Sequence, residues 1–430
     1  MAGQGYRDFR LFFAGWLVCG AAATAHEIGH EHEHSPGGWH SEAGFVSDAD
    51  HTARLFSPRG KTQEEIVQRA MWLAEQYDVQ RSAEQEIRAA EARKKYAAAV
   101  VINSLLPSSV GIVNNTYATF KKGLQRNRDA GMTLVSSTVY AFPSAISETA
   151  TAYSIIASSN EVARDLDLVE VDSVNDVLRA KKTGAMGLIY NTQGADYVVG
   201  DLAGQTRQSY DHGIRVMNFS YNRDNALAGG GFGEGVGLTA LGSEWLATAQ
   251  REGMVIDVSH SSDETAIDAA NRAKKPIIAS HSNASALLHS GRNLSDAAIE
   301  AIGRTGGVVC PNGVGLFLHP QGEASPEIYV EHVLHIANLI GRAGVCFSTD
   351  YVHNILDYYV RDIPNVSVYP PELGFGAPTQ NLGPEHIWDI VALLEDEHQW
   401  TDAEIIGFLG GNLLRVYQAN WQAKGDSIQE

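Results

Sequence analysis

The sequence has little cysteine, 3 in 430 residues. That excludes a disulfide-stapled scaffold. It is short of basic charge: lysine and arginine total 32 against 51 acids, a formal net charge of −19. Nucleic acid and an anionic membrane surface are therefore not expected partners. No run approaches the ~20 apolar residues of a spanning helix. No GxGxxG turn follows a strand, and the glycine-rich stretch GGGFGEGVG (229–237) lacks the P-loop lysine. A dinucleotide fold and a phosphate cradle lose their sequence support.

What is present is an ordinary globular composition, 44% hydrophobic. The length of 430 residues allows two or three domains of ~150 residues, or one large α/β barrel. Residues 1–25 read as a removable export signal. Arg7 and Arg10 precede the apolar run LFFAGWLVCGAAA, and Ala-Thr-Ala at 23–25 suits cleavage after Ala25. Val18 before Cys19 argues against a lipoprotein. The expected location is the periplasm or outside the cell, with no stable membrane span once the signal is gone. Residues 26–60 form a histidine-rich flexible tail; its imidazoles can capture Zn or Cu without a folded core. Residues 61–96 carry apolar residues at helical spacing and predict one or two amphipathic helices. Cys310 and Cys346 remain in the mature chain, in apolar β-like runs. Buried free thiols are the expectation, with a disulfide as the alternative in an oxidising compartment.

From residue 97 to 424 strand and helix patterns alternate. Eight apolar runs recur: 98–103, 134–141, 186–193, 215–221, 254–260, 276–282, 307–312 and 345–350. Continuous apolar strands buried on both faces suggest a parallel sheet. Eight β-then-α units predict an α/β fold, a (β/α)8 TIM-like barrel with an N-terminal helical extension. An open doubly wound sheet is the alternative. VEVDS (169–173) offers an extra strand. Ser262 and Ser295 read as helix caps, and the glycine-rich stretch as a mobile loop over the barrel mouth.

Barrel chemistry sits at strand C-termini. The expected strand-end residues are Asn103, Tyr140, Gln193, Tyr221, His260, His281, Asn312 and Asp350. Two adjacent strands ending in Ser-His bring two imidazoles to one centre, as a divalent metal requires. Asp350 on the last strand can bind the ion or take a proton from its water. Asp257 reads as a structural group or one that orients a ligand.

The segments MVIDVSH, PIIASHSNASALLHSGRNLSD, FSTD, GIRVMNFSYNRDNALAGG and FLGGNLLRVYQ resemble the membrane (renal) dipeptidase family of zinc metallopeptidases. The likeness runs from about residue 97 to 420. It implies a barrel of the amidohydrolase type with a two-metal site that cleaves dipeptides and related amides. By that resemblance His260 and His281 match two ligands of one metal. Asp350 matches the aspartate that assists proton transfer, and Arg292 the arginine that holds the substrate carboxylate. A homodimer is also implied.

The sequence departs from the family pattern in three places. The family's first strand ends in His-x-Asp; here Leu105 and Pro107 stand there. The bridging glutamate is Gln193, a neutral and weaker ligand. The substrate-side histidine is Tyr221. The pattern looks like a divergent group of exported bacterial proteins. One Zn²⁺ is therefore expected rather than two, held by His260, His281 and Gln193. The expected activity is hydrolysis of a small amide or dipeptide-like substrate by a Zn-activated water, with Asp350 moving the proton, Arg292 holding a carboxylate and Tyr221 stabilising the oxyanion. The alternatives are an exported metal-binding protein without catalysis, or another metal-assisted reaction in the remodelled site.

Overall fold

A computed structural model describes residues 62–421, apart from 113–114, 142–148 and 367–368. The signal and histidine-rich tail read from the sequence lie outside the described residues.

Two helices lead in: α1, Gln63–Glu75, and α2, Ala83–Lys95. Each begins with a capping box, Thr62 with Glu65 and Ser82 with Gln85, which satisfies end N–H groups that lack helical partners. Then come β1 (Ile102–Leu106), β2 (Leu134–Ala141), β3 (Val169–Glu170), β4 (Gly187–Gln193), β5 (Ile214–Asn218), β6 (Val255–Asp257), β7 (Ile278–Ala279) and β8 (Val308–Val309), with helices between most of them. Pairing is parallel throughout, in the order β1-β2-β4-β5-β6-β7-β8. The extra strand β3 pairs only with the first two residues of β4.

The ring is closed by the run at 345–350. Val345 bridges Val309 in parallel, and Cys346 N–H donates to Val309 O at 3.3 Å. On the other side Ser104 N–H donates to Phe347 O at 3.2 Å. The eighth run is thus a barrel stave even where its ladder is too sparse for a regular strand. Closure rules out the open-sheet alternative.

One residue from each of seven strands packs into a common floor: Ile102, Leu134, Ile189, Val216, Val255, Ile278 and Val308. Leu413, Val416 and Tyr417 of the C-terminal helix Asn412–Asn420 join them. Burying each such side chain stabilises by roughly 1.5–3 kcal/mol. Chemistry is left to the opposite end, where the strands finish.

Two expectations need correction. Cys310 and Cys346 are not free thiols; they form a disulfide within this floor. Their runs are neighbouring staves of the ring, a proximity that sequence distance hides. Strand one also runs three residues further than read, so Asn103 is not its end. Asn103 sits inside the barrel, donating to Asn127 Oδ1 at 3.0 Å and Thr349 Oγ1 at 3.1 Å. Ser262 and Ser295 cap their helices as the sequence predicts.

Candidate active site

His260 follows β6 and His281 follows β7. Their Nε2 atoms lie 2.8 Å apart. Each ring is fixed from its other nitrogen. His260 Nδ1 is 2.7 Å from Asn222 Oδ1, an acceptor, so Nδ1 carries the proton. His281 Nδ1 is 2.6 Å from Ser280 Oγ. Ser280 donates its one hydrogen to Asp257 Oδ2, so His281 Nδ1 must donate to Ser280. Both Nε2 atoms then present bare lone pairs to each other. Burial first, then the nearby Arg292 charge, holds both imidazoles well below the ordinary histidine range. Two neutral lone pairs at this distance repel unless a cation takes them up.

Asp257 is the anchor of this arrangement. Its Oδ1 accepts from Ser259 N–H and Ser280 N–H, each at 2.9 Å. It touches neither histidine directly and orients His281 through Ser280, the outer contact that metal-binding histidines commonly make.

Gln193, Tyr221, His260, Arg292 and Asp350 line one cavity of about 850 Å³, part of it open to solvent. His281 is not part of that lining. Gln193 commits its Nε2 to Thr138 Oγ1 at 3.0 Å, which leaves its carbonyl oxygen as the remaining donor atom. Tyr221 stacks on His260, with ring centroids 4.1 Å apart and planes at 27°. Its hydroxyl shares a hydrogen bond with Tyr369, and burial raises its pKa above the usual phenol value.

Arg292 is 3% exposed, and its Nη1 and Nη2 have no hydrogen-bond partner. A buried guanidinium without partners is costly. Burial depresses it, and Asp350, Tyr221 and Asp257 oppose that shift. Asp350 is partly buried, and desolvation pushes its carboxyl up to about 7, with Arg292 pulling the other way.

The backbone marks the same place. Five non-glycine residues among those described have positive φ, and three are Asn222 (60°), His260 (67°) and Asp350 (52°). Such strain concentrates at functional sites. Asn222 went unread in the sequence; an asparagine, tolerant of left-handed backbone, next to Tyr221 was the available signal.

Leu105 is buried in β1, and Pro107 lines the cavity. Neither side chain offers a donor atom. Among the described residues no group of three or more His, Cys, Asp and Glu side chains is placed to hold an ion. The donor set that fits a cation is the pair of imidazole lone pairs, with the Gln193 amide on the cavity wall.

The glycine-rich stretch is tied down rather than loose. Asp224 accepts from Gly230 N–H at 2.9 Å and Glu234 N–H at 3.0 Å. Gly231 N–H donates to His260 O at 2.7 Å. Its glycines serve close backbone approach.

A closed ring of parallel staves with imidazoles and a carboxylate at its strand ends, and a guanidinium on a neighbouring loop, defines a TIM-like α/β barrel. Residues 63–371 match the model of the membrane dipeptidase family, peptidase family M19. The chain belongs to that family. An uncharacterized dipeptidase of Schizosaccharomyces pombe is 30% identical over 260 residues, 59% of this chain and 58% of that protein. The chain thus matches little more than half the length of this curated relative. An amidohydrolase from Pseudomonas aeruginosa shares the fold at a TM-score of 0.66 and 23% identity, over 77% of this chain and 99% of that one. A metallo peptidase from Rhodobacter sphaeroides, solved with a phosphinate mimic of the dipeptide L-Ala-D-Ala, aligns at 0.59 and 18% identity, over 75% and 99%.

Proposed function

We propose that this protein is an exported, metal-dependent hydrolase of a small amide bearing a carboxylate, as in a dipeptide-like substrate. The observation that carries this reading is the pair of opposed, neutral Nε2 lone pairs of His260 and His281 beside a buried guanidinium whose Nη groups have no hydrogen-bond partner. Family membership and the dipeptidase relatives support it. His260 and His281 would hold one Zn²⁺, with the Gln193 carbonyl oxygen as a further donor. When bound, the ion supplies a water acidic enough to attack at neutral pH and polarises the amide carbonyl.

The chain's own residues do the rest. Arg292 takes the substrate carboxylate on its two free Nη groups, a bidentate fit that also fixes the amide's position. Asp350, ionised at the start, takes a proton from the attacking water at its carboxyl and passes it to the leaving nitrogen. Tyr221, whose ring stacks on His260, donates its hydroxyl hydrogen to the oxygen that gains charge. In balance, water gives its hydroxyl to the carbonyl carbon, the C–N bond breaks and the nitrogen takes the proton.

The disulfide Cys310–Cys346 supports location in an oxidising compartment, in line with the signal read at 1–25. A second reading, metal binding without catalysis, draws on Leu105, Pro107 and Gln193 at family ligand positions. A panel of dipeptides and N-acyl amino acids with Zn²⁺, Mn²⁺ or Co²⁺ separates the two. Turnover that is lost in His260→Ala and Asp350→Ala supports the hydrolase. Tight metal binding with no turnover of any member sinks it.

A further inference from the structure

The cavity is chemically lopsided. Among the described residues that line it, Arg292 is the sole strong cation and Asp350 the sole carboxylate. Most of the remaining wall is apolar or aromatic, including Phe317, Ile355, Tyr358, Ile363, Tyr369 and Phe375. These rings are braced rather than free. Phe375 meets Phe317, Tyr369 and Phe232 edge-on, at centroid distances of 6.2, 5.3 and 6.1 Å. Ala70 and Leu73 of α1 complete the cluster behind them.

A free dipeptide brings two charges into this space. Its carboxylate has Arg292. Its ammonium needs a buried anion, because an ion stripped of water without a partner is strongly disfavoured. Among the described residues Asp350 is the only lining candidate, and it already answers to Arg292 and must exchange a proton. The two histidines are neutral. Asp362 acts on the Tyr221, Tyr358 and Tyr369 hydroxyls but is not part of the lining. An apolar acyl group, by contrast, gains from every ring it covers.

We infer that the cavity selects an uncharged, apolar and preferably aromatic acyl group, so that the substrate is an N-acyl amino acid rather than a dipeptide with a free amino end. This rests on the hydrolase reading and names the half of the substrate that Arg292 does not hold. Hydrolysis places the water's hydroxyl on the acyl carbon and its proton on the amino nitrogen. The products are an aryl-alkanoic acid and an amino acid, and no redox partner is needed.

The test compares N-(3-phenylpropionyl)alanine with phenylalanylalanine, which differ only by the ammonium group, each with D- and L-alanine. N-succinylalanine serves as the charged-acyl control. Turnover is measured on the full metal-loaded chain, and binding is measured separately by calorimetry. The phenylpropionyl compound is expected to lead by at least tenfold in both kcat/KM and Kd. Equal or better use of the dipeptide overturns the inference while the hydrolase stands; ring faces would then be holding the ammonium. Tighter binding of the succinyl compound overturns it as well. If nothing is turned over but the tenfold binding preference holds, the hydrolase reading fails and the inference about the wall survives. If none of the three binds, both fall.

Discussion

His260 and His281 turn their Nε2 lone pairs toward each other across 2.8 Å, each ring steered by a partner on its far side. On the proposed reading this pair holds the metal ion. His281→Ala is expected to abolish stoichiometric metal uptake, measured by elemental analysis. Asn222→Ala and Ser280→Ala remove only the steering contacts and should weaken affinity by about 10–100-fold, read by competition with a chromophoric chelator. Unchanged affinity in both would detach the pair from metal binding.

Asp350 sets the pH response. Its carboxyl is pushed up to about 7 by burial, so it is neutral below that value and ionised above it. If it must start as a proton acceptor, kcat/KM rises with pH through a midpoint near 7. Asp350→Asn, which suits the left-handed backbone at φ 52°, should lower kcat by about 10²–10⁴-fold and flatten the rise. Stability moves oppositely. A carboxyl raised above its unfolded value keeps its stabilising share at low pH and loses it as pH climbs through the folded value. In chelator-treated protein the asparagine variant should therefore be the more stable one at pH 8, by on the order of 4 kcal/mol for a rise from 3.8 to about 7. The gap should close by pH 4 in denaturant titrations. A wild type as stable as the variant at pH 8 would contradict the buried assignment.

Arg292 links the clamp to that titration, because its charge lowers the Asp350 carboxyl. Arg292→Lys keeps charge but loses the planar fork. KM for a carboxylate substrate is expected to rise at least tenfold, with the pH midpoint nearly fixed. Arg292→Met removes the charge, so the midpoint should move above 7 as well. A substrate with its carboxylate capped as an amide should be indifferent to either change. Equal losses for capped and free substrates would mean that Arg292 does not hold the carboxylate.

These residues differ in how far the sequence announces them. His260, His281 and Asp350 end apolar runs, so strand periodicity exposes them. Gln193 and Tyr221 are legible for the same reason. The Asn222 and Ser280–Asp257 contacts are set by side-chain direction across neighbouring staves, which a linear pattern does not encode. The register of β1 is also hidden, because AAVVINSLL is apolar past its midpoint and nothing marks where the ladder begins. The disulfide depends on ring closure, a property of the eighth stave's place beside both β8 and β1. The aromatic wall comes from Phe317 and from residues between Ile355 and Phe375, backed by α1, and only folding brings these near the histidines.

The disulfide should be a structural tie. Cys310 and Cys346 are 36 residues apart in sequence, and both are fully buried. The chain-entropy model assigns such a loop about 4 kcal/mol. The Cys310→Ser/Cys346→Ser double variant is expected to lower the denaturant midpoint by a matching amount. Metal stoichiometry and KM should stay near wild type, since the tie lies in the barrel floor. Two free thiols titrating in the unfolded, unreduced wild type would refute the pairing.

Gly231 and Gly291 bring the glycine-rich loop and the arginine loop into direct backbone contact. A Cβ on Gly231 would collide with the Gly291 carbonyl oxygen, and one on Gly291 with the Gly231 carbonyl oxygen. Gly231 also donates its N–H to the His260 carbonyl at 2.7 Å, so one residue sits between the histidine turn and the loop that carries Arg292. In Gly231→Ala one backbone must move. The histidine turn is anchored by strands β6 and β7 and by Asp257, whereas Arg292 lies on a loop with no strand beneath it. The arginine should be the one displaced. We expect a loss of about 1–3 kcal/mol in stability, as for other overpacked sites, with KM raised at least tenfold and metal content unchanged. Gly200→Ala, which meets nothing within 4 Å, is the control and should match wild type. A Gly231→Ala protein with normal KM but depleted metal would reverse the assignment and make the histidine turn the softer of the two.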